Sequence, residues 1–398
     1  MAARWFLLAI LTGSYGAGAF GMLGISPLSL SLVAGFRLTR LEVALMVPAI
    51  YLGGLLFSLP AGRLADRIGV RPTLLGGLIV GAAGLAVGAA APAFPAFLFC
   101  LFVAGSGWSV VNPALGKAIM DLFPAPERGM AMGIKQMGLT LGGIASALVL
   151  PRIAATLGWR AAAAMSAAVV ALAIALIWRP LGVLDRVAPA AATPSAAVPG
   201  DWSWTRRLPV LTFFACGLIL GMVQAAVLSY LPLYTVQALG FDTIGAGYLV
   251  ACSQAGGAVS RLALGAASDR WLADRRSVWL ALTGGIGAAT FAGYAFRSVT
   301  APLGAGALAF ATGVGAYGWV GVFFVISAEL GGVRRAGLLS GVAFASIVVG
   351  LLIGPAVFGL LLDHWDSYSV PWGIFAALAT LVTAATLLAG PTIDREWR

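Results

Sequence analysis

The chain has 398 residues, of which 61% are hydrophobic and only 10% charged, and its formal net charge is +10. Soluble domains average about 45–50% apolar and about 25% charged residues, so a water-soluble globule is excluded. The positive charge sits in short stretches between apolar runs and forms no basic domain, which excludes a nucleic-acid surface.

Apolar stretches of about 20 residues, enough to cross ~30 Å of hydrocarbon as helix, recur from Trp5 to beyond Leu388. They are unbroken rather than alternating, so helices are predicted and a barrel is not. In chain order the predicted spans are 5–32, 41–60, 72–90, 94–119, 128–150, 159–179, 208–234, 243–266, 277–295, 300–328, 337–360 and 369–390. The first opens at once, with no small-residue cleavage site behind it, and reads as a helix rather than a removed signal peptide. Leu181 to Trp204 is a low-complexity interruption containing Ala-Pro-Ala-Ala-Ala-Thr-Pro-Ser. The predicted organisation is a six-helix bundle over 1–180, a cytoplasmic linker over 181–207 and a second six-helix bundle over 208–398. The fold class is therefore an all-α membrane protein of 12 transmembrane helices in two pseudo-symmetric bundles. Cys100, Cys216 and Cys252 all fall inside predicted helices, so neither a disulfide framework nor a metal site is expected.

Basic residues orient this layout. With the N-terminus inside, the cytoplasmic side holds Arg4, Arg63, Arg67, Arg71, Arg128, Arg179, Arg186, Arg206, Arg207, Arg270, Arg275, Arg276, Arg334, Arg335, Arg395 and Arg398. The opposite side holds only Arg37, Arg40, Arg152, Arg160 and Arg297. The bias places both termini in the cytoplasm, in an inner (plasma) membrane. Two internal echoes support the two halves. Gly62-Arg-Leu-Ala-Asp66-Arg67 returns as Gly265-Ala-Ala-Ser-Asp269-Arg270 at an offset of 203, and Gly129, Gly133 and Gly142 return as Gly337, Gly341 and Gly350 at an offset of 208. Parallel repeats about an axis normal to the membrane are one known transporter architecture.

The segment from Gly62 through Asp66, Arg67 and Gly69 to Arg71 resembles the major facilitator superfamily signature between helices two and three. The second copy keeps Asp269-Arg270 but has Trp271-Leu-Ala-Asp274 where a glycine and basic residues are expected. Helix number, central linker and the two signatures extend the resemblance over essentially the whole chain. It implies a secondary transporter with no cofactor, working as a monomer among membrane lipids. It also implies a gating loop built from Gly62, Asp66, Arg67, Arg71, Asp269 and Arg270, with Asp66 near the start of helix eleven and Asp269 near the start of helix five. A glycine there permits close helix approach, and a carboxylate can face a positive helix N-terminus. The alternative is that these charges only anchor topology.

Ionisable residues inside a membrane are costly, and each is a functional candidate. Lys135, seven residues past Arg128 and therefore ~10 Å deep, is the foremost, with snorkelling to the interface as its alternative. Arg261 lies four residues before Gly265 on helix eight. It resembles an arginine that monocarboxylate and oxalate transporters use to bind a carboxylate; a guanidinium fork suits that contact. Gln254 lies two turns earlier on the same face, and Tyr51 is its counterpart in the first half. Asn112 and Gln224 complete the candidate substrate-binding set, while Tyr230, Tyr15 and Trp108 lie well inside helices with interfacial anchoring as their alternative. Lys117 precedes Asp121 by one turn, the spacing of an intrahelical ion pair.

No carboxylate falls near a predicted membrane centre, which disfavours a cation carrier, and His364 lies in a loop beside Asp363 and Asp366. Basic groups without deep acids favour an anionic substrate, most simply a small organic carboxylate. The stretch around Asn112-Pro113 and Gly133-Ile-Lys135-Gln136 also resembles a bacterial branch that includes cyanate-type permeases. Helix eleven lacks the lysine that oxalate–formate exchangers carry, which counts against oxalate. The alternative is a drug:proton antiporter; its Gly-x-x-x-Gly-Pro element occurs here at Gly350 to Pro355, on helix eleven rather than helix five. An enzyme is disfavoured, since no His/Asp/Glu cluster, nucleophile elbow or phosphate loop is present.

Overall fold

In lipid each backbone N–H and C=O must be paired within its own segment, and the apolar runs accordingly form helices. The computed structural model describes residues 2–180, 182, 208–270, 275–296 and 301–393; within them, the side chains of residues 2–3, 58–66, 120, 125–126, 128–130, 262, 264–270, 328–329, 331–338, 340 and 393 fall outside the description. The elements in order are α1 (Ala2–Leu23), α2 (Ile25–Phe36), α3 (Arg40–Ile68), α4 (Val70–Ala89), α5 (Phe94–Leu122), α6 (Ala125–Leu157), α7 (Trp159–Trp178), α8 (Leu208–Gln237), α9 (Thr243–Arg270), α10 (Arg276–Ala295), α11 (Pro302–Tyr317), α12 (Val320–Trp365) and α13 (Ser369–Ile393). No strand occurs among the described residues. The chain divides into two compact units, Met1–Pro194 and Ser195–Arg398. The predicted linker 181–207 lies, apart from Gly182, outside the described residues.

Among the described residues, eleven stretches are long and apolar enough to cross a membrane. One of them, Arg4–Phe36, combines α1 and α2. It breaks at Gly24, three residues before Pro27, which has no N–H to continue the ladder. The twelfth predicted span is α9, whose 28 residues include Ser253, Gln254, Ser260 and Arg261, polar groups that lower its hydropathy.

Three sequence expectations are corrected. First, the signature is not a loop. Helix α3 continues to Ile68, and the reversal is confined to Gly69, whose φ of 92° lies where a β-carbon is strained. Gly62, Asp66 and Arg67 thus sit on helix, as do Asp269 and Arg270 at the end of α9, and only Arg71 lies beyond the turn, on α4. The side chains of Gly62, Asp66, Asp269 and Arg270 are outside the described residues, while Arg67 is exposed. Arg71 donates Nη2 to the Trp178 carbonyl at 3.0 Å and lies over its indole, tying α4 to the C-terminal end of α7.

Second, the boundary between the tenth and eleventh predicted helices differs: the tenth span stands as Pro302–Ser327, interrupted only by a turn at Gly318 and Trp319 whose φ and ψ stay helical. Helix α11 stops at Tyr317, and α12 holds both the rest of that span and the eleventh. A straight helix would put ~36 Å between residues 323 and 347. Yet Phe323 packs against Gly217 and Ile347 against Gly221, one turn apart on α8, so α12 folds back between its two spans.

Third, the glycine echo is off by one turn. Gly138 packs on the backbone of Thr12 and Gly16, and Gly142 on Gly16 and Phe20; in the other unit Gly350 packs on Leu218 and Met222, and Gly354 on Met222. Gly142 therefore corresponds to Gly354, not Gly350, an offset of 212. Between α1 and α8 the matching offset is 206. Gly133 and Gly341 face open space, and Gly129 and Gly337 lie outside the described side chains. The offset of 203 between α3 and α9 holds, since Gly53 packs on Phe102 and Ser106 of α5 as Gly256 packs on Phe310 of α11. That last pairing fixes a shift of 208 between α5 and α11.

At one end of the first unit, Arg4 pairs with Glu127 at 2.8 Å and lies over Phe123, fastening α1 to the start of α6. Both side chains are partly solvated, at 23% and 34% exposure. A double-mutant cycle with Arg4→Gln and Glu127→Gln is expected to return a coupling of only about 0.2–1 kcal/mol in thermal unfolding.

Candidate functional site

The strongest constellation lies inside the first unit, where α1, α5 and α6 meet. Lys135 of α6 is only 6% exposed. Its Nζ donates to Asn112 Oδ1 of α5 at 2.7 Å and stands 5.1 Å from the centroid of the Tyr15 ring on α1. Tyr15 stacks on Trp108 of α5, with centroids 4.8 Å apart and planes inclined by 8°. Asn112 lies one turn beyond Trp108 and is exposed, next to the buried ammonium.

Both contacts of the ammonium are with neutral groups. Among the described residues no carboxylate lies within ion-pair reach of Lys135. A buried charge without a counter-charge is expensive, and an amide oxygen with one aromatic face offsets only part of that expense. The arrangement is suited to an anion arriving from outside the protein. It also shows that Lys135 does not snorkel: its amine is directed at Asn112 and Tyr15 within the bundle.

The helix-crossing registers identify the equivalent places in the second unit. Lys135 corresponds to Ile347, Tyr15 to Gly221, Trp108 to Ala316 and Asn112 to Val320. Gly221 packs on the Ile347 backbone there, as Tyr15 adjoins Lys135 in the first unit. The charged constellation thus belongs to one unit only.

In the second unit, Arg261 is half-buried and donates Nε to the Tyr317 carbonyl at 3.0 Å. Tyr317 ends α11 at the turn, and the guanidinium answers its carbonyl. Gly257 lets the Tyr317 ring approach α9, and Trp319 Nε1 donates to Ala316 at the same turn. Arg261 is therefore joined to the turn in the tenth span, a link that residue spacing on α9 could not disclose. Gln254 is buried on the same helix, and Tyr51 is half-buried on α3 at the matching 203 register. Gln224 of α8 has a buried Oε1 without a hydrogen-bond partner among the described residues.

Of the predicted set, the structure joins Lys135 with Asn112 and places Arg261 and Gln254 on one helix. Tyr15 and Trp108 complete the first constellation; in the sequence they could not be told from interfacial anchors. Tyr230 is buried in an aromatic cluster, stacked on Phe358 beside Trp372.

Comparison with known proteins places the chain. The family model for the Major Facilitator Superfamily matches residues 6–344. An uncharacterized MFS-type transporter of Mycobacterium tuberculosis is 30% identical over 67% of this chain, though the match spans only 59% of that relative's length. "Probable nitrate/nitrite transporter NarK2" of the same organism is 29% identical, covering 92% of this chain and 91% of its own. Mouse monocarboxylate transporter 11 is 31% identical over 84% of this chain and 74% of its own. Among solved structures, a bacterial homologue of the human lysosomal transporter Spinster, inward-facing and unoccupied, shares the fold. Its TM-score is 0.76 at 15% identity, with 99% of this chain and 98% of that one covered. The family match over most of the chain, on a fold of helical bundles, shows that the protein belongs to the Major Facilitator Superfamily.

Proposed function

We propose that the protein is a secondary active transporter of a small organic anion, most simply a monocarboxylate, working by alternating access in the inner membrane with both termini cytoplasmic. The observation that carries this reading is the buried Lys135 ammonium, held by Asn112 at 2.7 Å and by the Tyr15 ring, with neutral partners alone among the described residues. An anion would supply the missing charge, and a carboxylate could take a hydrogen from the ammonium and another from an amide N–H of Asn112. Two relatives carry the names of a probable nitrate/nitrite transporter and a monocarboxylate transporter, and nitrate, nitrite and carboxylates are planar oxyanions that suit such a site. Arg261, Gln254, Tyr51 and Gln224 are assigned to the same substrate path, and Gly62, Asp66, Arg67, Arg71, Asp269 and Arg270 to gating.

The test is uptake by the purified protein in liposomes, with labelled acetate, pyruvate, nitrate and cyanate beside a cationic dye. Saturable anion uptake severely weakened in Lys135→Gln, without dye movement, is the expected result. Proton-driven dye efflux that survives this substitution would favour the drug:proton antiporter instead. Asn112→Asp supplies a sharper arm. A carboxylate at that position would neutralise Lys135 from within, and anion uptake is expected to vanish although the lysine is untouched.

A further inference from the structure

A column of contacts runs from a residue with no polar chemistry to the Lys135 ammonium. Trp108 is stacked on one side of Tyr15, and Lys135 stands over the Tyr15 ring at 5.1 Å. The indole's outer edge lies where a side chain of Gly18 would be. A β-carbon at residue 18 would overlap Trp108 Cζ3 and come within 2.6 Å of Cε3. Gly18 is buried and Trp108 half-buried; a side chain at residue 18 would displace the indole that stacks on Tyr15, whose ring in turn carries the ammonium.

The second unit gives an independent sign that these two positions are matched in size. By the registers of the helix crossings, Gly18 corresponds to Gln224 and Trp108 to Ala316. The register therefore pairs a small residue with a large one in both units, in opposite order, as expected if the two positions share one volume.

We infer that Gly18 is a positioning residue for the anion site: by leaving room for Trp108 it holds Tyr15 and hence the Lys135 ammonium in place beside Asn112. The inference rests on the anion reading for its functional consequence, but the column itself can be tested without any substrate. The chain has two lysines, Lys117 and Lys135. With 13C-lysine incorporated and the protein in lipid nanodiscs, NMR should show two ε-methylene signals, and Lys135→Gln identifies one of them. An ammonium over an aromatic face has its ε-methylene moved upfield by the ring current. Gly18→Ala is expected to return that signal towards the Lys117 position and to raise KM for the transported anion by roughly 10-fold, about one hydrogen bond to a charged group.

Adding Trp108→Phe, which removes the outer indole atoms, should restore both readouts. Gly13→Ala on the same helix, where a β-carbon meets open space, should change neither. An unmoved Lys135 signal in Gly18→Ala, or a double variant that stays displaced or unfolded, would overturn the inference. If wild type takes up none of acetate, pyruvate, nitrate or cyanate, or if Lys135→Gln does not matter for uptake, the transport reading fails, and the NMR arm still decides the column.

Discussion

Replacing Lys135 by Gln is expected to weaken anion uptake severely while raising the temperature at which the protein unfolds. The two effects have one origin. An ammonium at 6% exposure has lost most of its hydration, and its compensation is a single amide oxygen and one aromatic face. Glutamine keeps a donor for Asn112 without the charge, so the desolvation cost disappears and stability should rise by ~1 kcal/mol or more. Transport loses what the charge provided. The drop in kcat/KM is expected to reach roughly 10–100-fold, the range for a hydrogen bond to a charged group. The pair of measurements is uptake in liposomes and thermal unfolding in the same lipid. A variant both inactive and less stable would mark Lys135 as a structural residue and remove the main support for an anion site. The logic is that of a functional residue kept at the expense of stability.

The fold was legible in the sequence to the extent that hydropathy and charge determine it. Runs of apolar residues admit one solution in lipid, and the arginine bias between them follows membrane insertion. What hydropathy could not see is where helices continue into polar sequence. Residues 62–68 were read as a loop because Arg63, Asp66 and Arg67 are hydrophilic, but a helix beyond the apolar layer needs hydrogen bonds and not apolar side chains. Only Gly69 has the backbone conformation that ends it. The turn after Tyr317 was hidden for the opposite reason. Its surroundings are uniformly apolar, and its supports, Arg261 and Trp319, come from a different helix and from the turn itself.

The candidate site divides in the same way. Lys135 stood out because a charge in a span is costly wherever it points, and Asn112 followed because it too is polar inside a helix. Tyr15, Trp108 and Gly18 carried no such signal. Aromatic and small residues are ordinary in membrane helices, and their meaning here depends on contacts between α1 and α5, residues roughly ninety apart in sequence. Arg261 was legible as an unusual residue, but its bond to the Tyr317 carbonyl was not.

Glycines show most clearly what a sequence withholds, and they lead to the second large effect. The chain has 53 of them, and pattern alone treats them alike. In lipid the helices gain little from hydrophobic association, so backbones that approach closely depend on the absence of a side chain at the crossing. Gly105 faces the Ile50 backbone and Gly313 faces Ser253 and Gly257, in the same helix pair of each unit. The atoms in the way are backbone carbonyls and amides of another helix, which cannot rotate aside as a side chain can. Gly105→Ala and Gly313→Ala must therefore separate α3 from α5 and α9 from α11, and each is expected to cost ~3 kcal/mol or more, at or beyond the upper end of ordinary overpacking. Gly76 and Gly133, with open space around them, supply the contrast. Alanine there should be neutral or stabilise by about 0.5–1 kcal/mol, because the helix no longer has to order a glycine. Thermal unfolding of the four variants in one lipid tests both halves of the statement. Equal losses at all four would mean that glycine matters in these helices for flexibility, whereas losses confined to Gly105 and Gly313 would tie stability to the two crossings and establish their equivalence between the repeats.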